Sequence, residues 1–259
     1  MNKILLSLLV LIVTIAGFIY GPKAIRLYNL ANLYDEDSIA SNFINIDKIF
    51  TVSDPIPAAE EAYLFNKRDY ELPETYFFDG EERNLQEGLE HFKTDGLIVL
   101  HNGDMLYENY WNGNSSESKH IAFSVSKSFL SALIGIAVGD GLIDSIEDPV
   151  TKYLPDFNGT GYEGVRIKDI LQMSSGVKFN EDYADPNSDI NIFGRAVARG
   201  SSFRDFAKTL EREKTPGTYH HYVSIDTQVL GFLLAEVTAM SVQDYLYEKI
   251  WNKIGMEHG

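Results

Sequence analysis

The chain has 259 residues, of which 44% are hydrophobic and 23% charged, a composition typical of a globular protein with a sizeable core. Its formal net charge of −16 argues against nucleic acid as a partner, because an acidic surface repels phosphate backbones. The absence of cysteine excludes disulfides, thiolate metal sites and a cysteine nucleophile.

The first predicted element is an apolar segment, residues 4–20, which contains no charged side chain and is flanked by Lys3 and Lys23. Its length is at the lower limit, about 17 residues, for a helix that spans a bilayer. A cleaved signal peptide normally has a shorter apolar core and small residues before its cleavage site, whereas residues 18–20 are bulky. The pattern favours an uncleaved anchor over residues 1–21, in the cell inner membrane with the rest of the chain in the periplasm. Export with a cleaved signal peptide is the alternative.

The next segment, residues 22–80, alternates short apolar stretches with acidic residues and prolines and is interpreted as a lead-in or stalk. A folded domain is predicted over residues 81–259. It contains a hairpin, because Asn102-Gly103 lies between two apolar runs and is a strong signal for a tight turn. The apolar periodicity and end signals predict helices over residues 83–91, 124–138, 167–173, 203–212, 227–240 and 241–253. Ser241 and Asp244 are predicted to form an N-terminal capping pair for the last of these helices.

A hairpin followed by a run of helices indicates an α+β fold. Two strands alone are only marginally stable, so such a fold requires further strands. Nothing after Gly259 supplies such strands, and residues 254–259 read as a chain that ends within the domain. We therefore expect the C-terminal strands of the domain to be missing from this chain.

Ser124 and Lys127 form a Ser-x-x-Lys motif at the start of the helix predicted over residues 124–138. Residues three apart share one face of a helix, so Lys127 is expected beside the Ser124 hydroxyl. A hydroxyl is a weak nucleophile that needs an adjacent base, and a lysine in an apolar pocket can be that base. By spacing alone, a serine cap with a solvated lysine is the simpler interpretation. The helix reads as apolar on all sides, however, which favours an enclosed Lys127.

A second pair of polar side chains, Tyr222 and Ser224, falls on one side of an extended segment just before a predicted helix. A phenol beside a lysine ammonium ionises more easily and can then act as a general base. Two ordinary polar loop residues are the alternative interpretation of this pair.

Four stretches in this order resemble the serine β-lactamase and penicillin-binding-protein superfamily, namely residues 120–129, 141–155, 165–176 and 222–231. They are most similar to its class C-like branch, which includes class C β-lactamases, DD-peptidases, carboxylesterases and 6-aminohexanoate-oligomer hydrolases. The segment from the Tyr-x-Ser motif onward is most similar to the last of these groups.

The resemblance implies an antiparallel sheet flanked by helices, with an additional helical subdomain. It also implies that Ser124 is the acylated nucleophile, that Lys127 is the lysine of the first motif, and that Tyr222 shuttles protons. Ser224 stands where class C β-lactamases usually carry asparagine, which argues against hydrolysis of β-lactams.

The third motif of the superfamily, Lys-Thr-Gly or His-x-Gly on a later strand, has no credible match in this chain. His101-Asn102-Gly103 fits the pattern as text, but it precedes Ser124 and lies in the predicted hairpin turn. In the superfamily the later strand supplies one of two oxyanion-hole amides, and losing such a donor costs about a hundred- to thousandfold in rate. We therefore expect this chain to be nearly inactive alone. Ser188-Asp189-Ile190 resembles the class A motif Ser-Asp-Asn and is treated as coincidence.

Ser224 and two residues of an acidic loop, Tyr183 and Asp185, are candidate substrate-binding residues, although a solvated loop is the alternative for the latter two. His220 and His221 lack a third metal ligand at regular spacing and are interpreted as a surface pair.

The predicted function is hydrolysis of a small-molecule amide or ester through an acyl-serine intermediate at Ser124, without a metal or cofactor. A penicillin-binding envelope protein that trims peptidoglycan is the first alternative, because it would use the same nucleophile. A degenerate, non-catalytic domain is the second alternative, which the missing third motif favours and the intact first two motifs oppose.

Overall fold

The computed structural model describes residues 3–50 and 55–258, and for residues 3–10 and Ala16 it describes the backbone only. The helices are α1 (Lys3–Ala31), α2 (Ile39–Ile44), α3 (Leu85–His91), α4 (Val125–Gly139), α5 (Ile167–Leu171), α6 (Asp189–Ala198), α7 (Phe203–Lys208), α8 (Ser224–Thr238) and α9 (Val242–Leu246). The strands are β1 (Asn66–Lys67), β2 (Thr75–Phe78), β3 (Glu81–Asn84), β4 (Gly96–His101) and β5 (Asp104–Tyr110).

The strands form two small sheets. In the first, β4 and β5 pair antiparallel, and β1 adds to β5 in parallel. The predicted hairpin is confirmed: Asn102 and Gly103 have φ values of 52° and 86°, the left-handed conformations that a two-residue turn of this kind requires. In the second sheet, β2 and β3 pair across the turn at Asp79 and Gly80, so strands on the two sides of residue 80 are hydrogen-bonded to each other.

The hydrophobic core lies between the helices. α4 packs on α8, and α8 also contacts α5 and α7. From α4, Leu133 and Ile134 are fully buried, and from α8, Leu233 and Leu234 are fully buried as well. The N-terminal ends of these two helices lie next to each other, since Tyr222, just before α8, contacts Ser124, just before α4, and this packing brings two distant parts of the chain together.

One face of α4 remains open. The sequence predicts a helix that is buried all round, but Val125 is 61% exposed, and Ser128, Ser131 and Gly135 are exposed along the same helix. These small residues recur at helical spacing and provide little apolar surface to bury. The expectation that α4 is enclosed on all sides is therefore wrong, and Lys127 in its first turn is half-buried rather than enclosed.

The other helices agree with the predictions in their position more closely than in their ends. α7 ends at Lys208, four residues before the predicted end, and Arg212 forms an isolated β-bridge with Val177 instead. Ser241 caps α9 as predicted, since its hydroxyl accepts a hydrogen bond from the backbone N–H of Asp244 at 3.0 Å. α6 has no counterpart among the predictions.

The lead-in packs on the rest of the chain. α1 contacts α6, where Leu30 lies against Gly194, and the carbonyl oxygen of Phe43 accepts a hydrogen bond from the backbone N–H of Ile121 at 3.0 Å. Within α1, the segment Leu11–Ala31 is long and apolar enough to cross a bilayer, a property that a signal sequence near the N-terminus shares.

Candidate active site

Ser124 immediately precedes α4, and its side chain does not cap this helix. Its hydroxyl has two partners instead: Lys127 Nζ donates a hydrogen bond to Ser124 Oγ at 3.0 Å, and the Tyr222 hydroxyl donates to the same atom at 2.7 Å. The structure therefore brings together the three residues that the sequence singles out, although Tyr222 is 98 residues away from Ser124 along the chain.

The backbone turns into α4 at Phe123, whose φ of 41° lies in the left-handed region. This conformation is costly for a bulky residue, and such strained residues occur in turns and cluster at functional sites. Ser126 Oγ donates a hydrogen bond to the Phe123 carbonyl oxygen at 2.6 Å and so stabilises the turn. Among the residues that the structure describes, none accepts a hydrogen bond from the backbone N–H of Ser124, which leaves this donor available to an anion at the helix N-terminus.

Lys127 is close to both other members of the group. Besides its hydrogen bond to Ser124, its Nζ lies 5.3 Å from the centroid of the Tyr222 ring. The Tyr222 hydroxyl and Lys127 Nζ are thus both in hydrogen-bond contact with Ser124 Oγ, so the three groups form one path along which a proton can move.

Glu181 is a central residue of the site that sequence reasoning missed. One oxygen of its carboxylate, Oε2, accepts the backbone N–H of Ser224 at 3.0 Å, and the other, Oε1, accepts the Ser224 hydroxyl. The N-cap residue of α8, Val223, has no side chain that can cap the helix, so Glu181 supplies this capping from another part of the chain. Because 43 residues separate Glu181 from Ser224, no local pattern could reveal the contact.

Tyr183 also binds Glu181, since its hydroxyl donates to Glu181 Oε1 at 3.1 Å. Burial, together with the Glu181 carboxylate, raises the pKa of Tyr183 to about 12, so the phenol stays protonated. Asp185 is used within its own loop: its Oδ1 accepts the backbone N–H of Asn187 at 2.8 Å, and its carbonyl oxygen accepts the Asn191 side-chain amide at 2.9 Å. This loop leads directly into α6.

The two adjacent histidines lie beside the site. His221 Nε2 is 2.7 Å from the carbonyl oxygen of Phe179, and the backbone N–H of His221 donates to the Met173 carbonyl. Within residues 3–50 and 55–258, no three His, Asp or Glu side chains are arranged to hold a metal ion.

Asp226 is a buried carboxyl group that sequence reasoning also missed. It lies in the first turn of α8, is fully buried, and accepts the Tyr162 hydroxyl on Oδ1 at 2.9 Å, while its Oδ2 has no hydrogen-bond partner among the described residues. Burial raises the pKa of Asp226 to about 7, and the hydrogen bond from Tyr162 partly opposes that rise. Asp226 lies in the first turn of α8, where acidic residues are common, so no local sequence pattern indicated its burial.

The match to a protein-family model identifies the family of this chain. The family model described as Beta-lactamase matches residues 82–259. The chain belongs to the β-lactamase family. The predicted family relationship and α+β fold are thereby confirmed.

Two curated relatives illustrate the range of this family. The chain is 30% identical over 178 residues to a 6-aminohexanoate-dimer hydrolase of Paenarthrobacter ureafaciens, an alignment that covers 66% of this chain and 45% of the relative. It is 32% identical over 128 residues to a protein of Salmonella agona provisionally assigned as a D-alanyl-D-alanine carboxypeptidase, covering 47% of this chain and 28% of the relative. The chain thus spans less than half the length of each of these curated relatives.

Solved structures support the same fold. A provisionally assigned 6-aminohexanoate-dimer hydrolase from Bacillus anthracis superposes with a TM-score of 0.79 at 22% identity, covering 88% of this chain and 62% of that one. A D-stereospecific amidohydrolase from Streptomyces superposes with a TM-score of 0.52 at 20% identity, covering 64% and 52% of the two chains. At these sequence identities the superpositions show that the fold is shared, and they say nothing further about function.

Proposed function

We propose that this β-lactamase-family chain carries the nucleophile of a serine hydrolase, which cleaves an amide or ester bond through an acyl-enzyme intermediate on Ser124. The observation that carries the proposal is the convergence of Lys127 Nζ and the Tyr222 hydroxyl on Ser124 Oγ, at 3.0 and 2.7 Å. A nucleophile within hydrogen-bond reach of a base, with a third group that orients the base, is the arrangement that nucleophilic catalysis requires.

In the proposed reaction, Ser124 Oγ attacks the substrate carbonyl carbon, and the Tyr222–Lys127 pair takes up the proton that the Ser124 hydroxyl loses. The carbonyl electron pair moves onto the carbonyl oxygen, which the backbone N–H of Ser124 can face. When the C–N or C–O bond breaks, Tyr222 returns the proton to the leaving atom and the acyl-enzyme remains. Water then attacks the acyl group with the same proton transfer, which releases the acid and regenerates Ser124.

The substrate class follows from the relatives by analogy. An amide-cleaving relative such as the 6-aminohexanoate-dimer hydrolase supports a small-molecule amide or ester as the substrate. Ser224, Tyr183 and Asp185 remain candidate substrate-binding residues. Tyr183 is 56% exposed, so its ring can contact a substrate while its hydroxyl stays bound to Glu181.

The decisive experiment is covalent labelling of the full-length protein with a fluorophosphonate, followed by intact-mass analysis. We expect one phosphonyl adduct in the wild type, none in Ser124→Ala, and normal labelling in the control Ser131→Ala, an exposed serine on the same helix. Labelling of Ser124→Ala at the wild-type rate would contradict the proposal.

A penicillin-binding envelope protein is the second candidate, supported by the alignment with the provisionally assigned carboxypeptidase. It would form the same covalent bond to Ser124 but retain a β-lactam as a lasting adduct. Incubation with a fluorescent penicillin separates the two candidates: a stable band on a denaturing gel favours the penicillin-binding protein, and its absence favours the amidase or esterase.

We also propose that residues 1–21 anchor the protein in the inner membrane, residues 22–80 form the lead-in, and residues 81–259 form the hydrolase domain on the periplasmic side. The apolar helix α1 supports this proposal. Membrane fractionation with N-terminal sequencing tests it, because an uncleaved anchor leaves an intact N-terminus in the membrane fraction. A shortened N-terminus would instead identify a signal peptide.

A further inference from the structure

Three aromatic residues, Tyr34, Phe43 and Phe123, form a cluster that we call the aromatic wall. The Tyr34 and Phe123 rings are stacked with centroids 6.3 Å apart. The Phe43 ring makes T-shaped contacts with both, with its centroid 5.1 Å from that of Phe123 and 6.2 Å from that of Tyr34. Two of these residues come from the lead-in and the third immediately precedes Ser124. The lead-in therefore contributes directly to the surroundings of the proposed nucleophile.

Several contacts join the lead-in to residues 120–123, the segment that leads into Ser124. The carbonyl oxygen of Phe43 accepts the backbone N–H of Ile121, and the Phe43 ring packs on the edge of His120 at 5.6 Å. His120 is held in turn by Asp95, whose Oδ2 lies 3.1 Å from His120 Nε2. These contacts hold the lead-in against residues 120–121, close to Phe123 in the chain.

Two rings of the aromatic wall are exposed: Tyr34 is 53% exposed, and Phe123, which precedes Ser124 in the chain, is 41% exposed. The Tyr222 ring, whose hydroxyl contacts Ser124, is 38% exposed. Exposed clusters of large apolar rings occur at interaction surfaces, including ligand-binding grooves. Phe123 also adopts a strained, left-handed φ, which is consistent with a functional role for the position of its ring.

We propose that the aromatic wall binds the apolar acyl group of the substrate, so that the lead-in determines which acyl groups Ser124 accepts. This inference rests on the proposed function, because an acyl group reaches the wall only if Ser124 is acylated. It assigns the substrate class more narrowly, to amides or esters with an aliphatic or aromatic acyl part several carbons long.

The test compares covalent labelling by ethyl and octyl fluorophosphonates, measured as the second-order rate of adduct formation. We expect the wild type to prefer the octyl probe, and Tyr34→Ala to reduce that preference about tenfold with little change toward the ethyl probe. Tyr34→Phe retains the ring and should retain the preference. Tyr28→Ala, which removes an exposed tyrosine of α1 outside the aromatic wall, is the matched control.

The outcomes distinguish the two proposals. If neither probe labels Ser124 in the wild type, the proposed function is wrong and the aromatic wall loses its ligand. If Ser124 is labelled but Tyr34→Ala keeps the wild-type preference for the octyl probe, the aromatic wall alone is refuted.

A second inference rests on different contacts. The geometry points to Glu181 as a positioning residue for the Tyr222 hydroxyl. Its carboxylate holds both the backbone N–H and the hydroxyl of Ser224, two residues after Tyr222, and also accepts Tyr183. A shift of the Ser224 backbone would move Tyr222 away from Ser124, and displacements of about 1 Å can cost a hundredfold in rate.

Glu181→Ala and Glu181→Gln test this role, with Glu211→Gln as the control at an exposed acid. We expect Glu181→Ala to lower the maximal rate of fluorophosphonate labelling about tenfold or more, with the half-saturating probe concentration unchanged. Glu181→Gln retains an acceptor for Ser224 and should lie between Glu181→Ala and the wild type. An unchanged maximal rate in folded Glu181→Ala, or equal losses in both Glu181 variants and the control, would refute the positioning role.

Discussion

The buried carboxyl group of Asp226 makes the stability of this protein depend on pH. The pKa of Asp226 is about 7 in the folded chain, against an ordinary value of 3.8. The folded state therefore holds one more proton than the unfolded state between these two values, and the free energy of unfolding falls as pH rises through this window. The free energy of unfolding falls by about 1.4 kcal/mol for each pH unit in this window, which amounts to about 4 kcal/mol in total and is complete above pH 7.

Asp226→Asn removes the titration and keeps an oxygen that can accept the Tyr162 hydroxyl. We expect the variant to match the wild type within about 1 kcal/mol near pH 4, and to exceed its free energy of unfolding by about 2 kcal/mol at pH 5 and about 4 kcal/mol at pH 8. Urea unfolding at half-unit pH steps, followed by circular dichroism in a mild detergent, measures this difference. Asp69→Asn, at an exposed loop position, is the control and should follow the wild type. Parallel curves for Asp226→Asn and the wild type between pH 5 and 8 would refute the reasoning.

Three further predictions concern single contacts. Tyr222→Phe removes the hydroxyl bound to Ser124 Oγ but keeps the ring near Lys127. The rate of fluorophosphonate labelling should therefore fall about a hundredfold or more at unchanged melting temperature, whereas labelling at the wild-type rate would exclude a proton-transfer role. Gly176→Ala should lower the free energy of unfolding by at least about 2 kcal/mol, because a Cβ at its φ of 75° meets the Lys214 carbonyl oxygen. Gly159→Ala, at φ 79° with open space around it, should lower that free energy by less. Equal losses for the two variants in urea unfolding would contradict the steric clash at Gly176. Leu133→Ala should cost about 2–5 kcal/mol by the same assay, because this side chain is fully buried against α8, whereas a loss below about 1 kcal/mol would mean that the α4–α8 interface collapses around the cavity.

The sequence predicts well those features that depend on neighbouring residues. The turn at Asn102-Gly103 follows from the left-handed conformations that these two residues tolerate. The Ser241 cap and the Ser124–Lys127 pair follow in the same way, because residues three apart meet on one turn of a helix. These features need no knowledge of the rest of the fold.

The tertiary structure decides what depends on packing between distant segments. The contact of Tyr222 with Ser124, the three hydrogen bonds of Glu181 and the burial of Asp226 arise because α4 and α8 share one core and the acidic loop folds over the start of α8. The open face of α4 and the aromatic wall also depend on packing between distant segments. A side chain is buried or exposed according to what other elements cover it, and apolar periodicity along one helix does not contain that information.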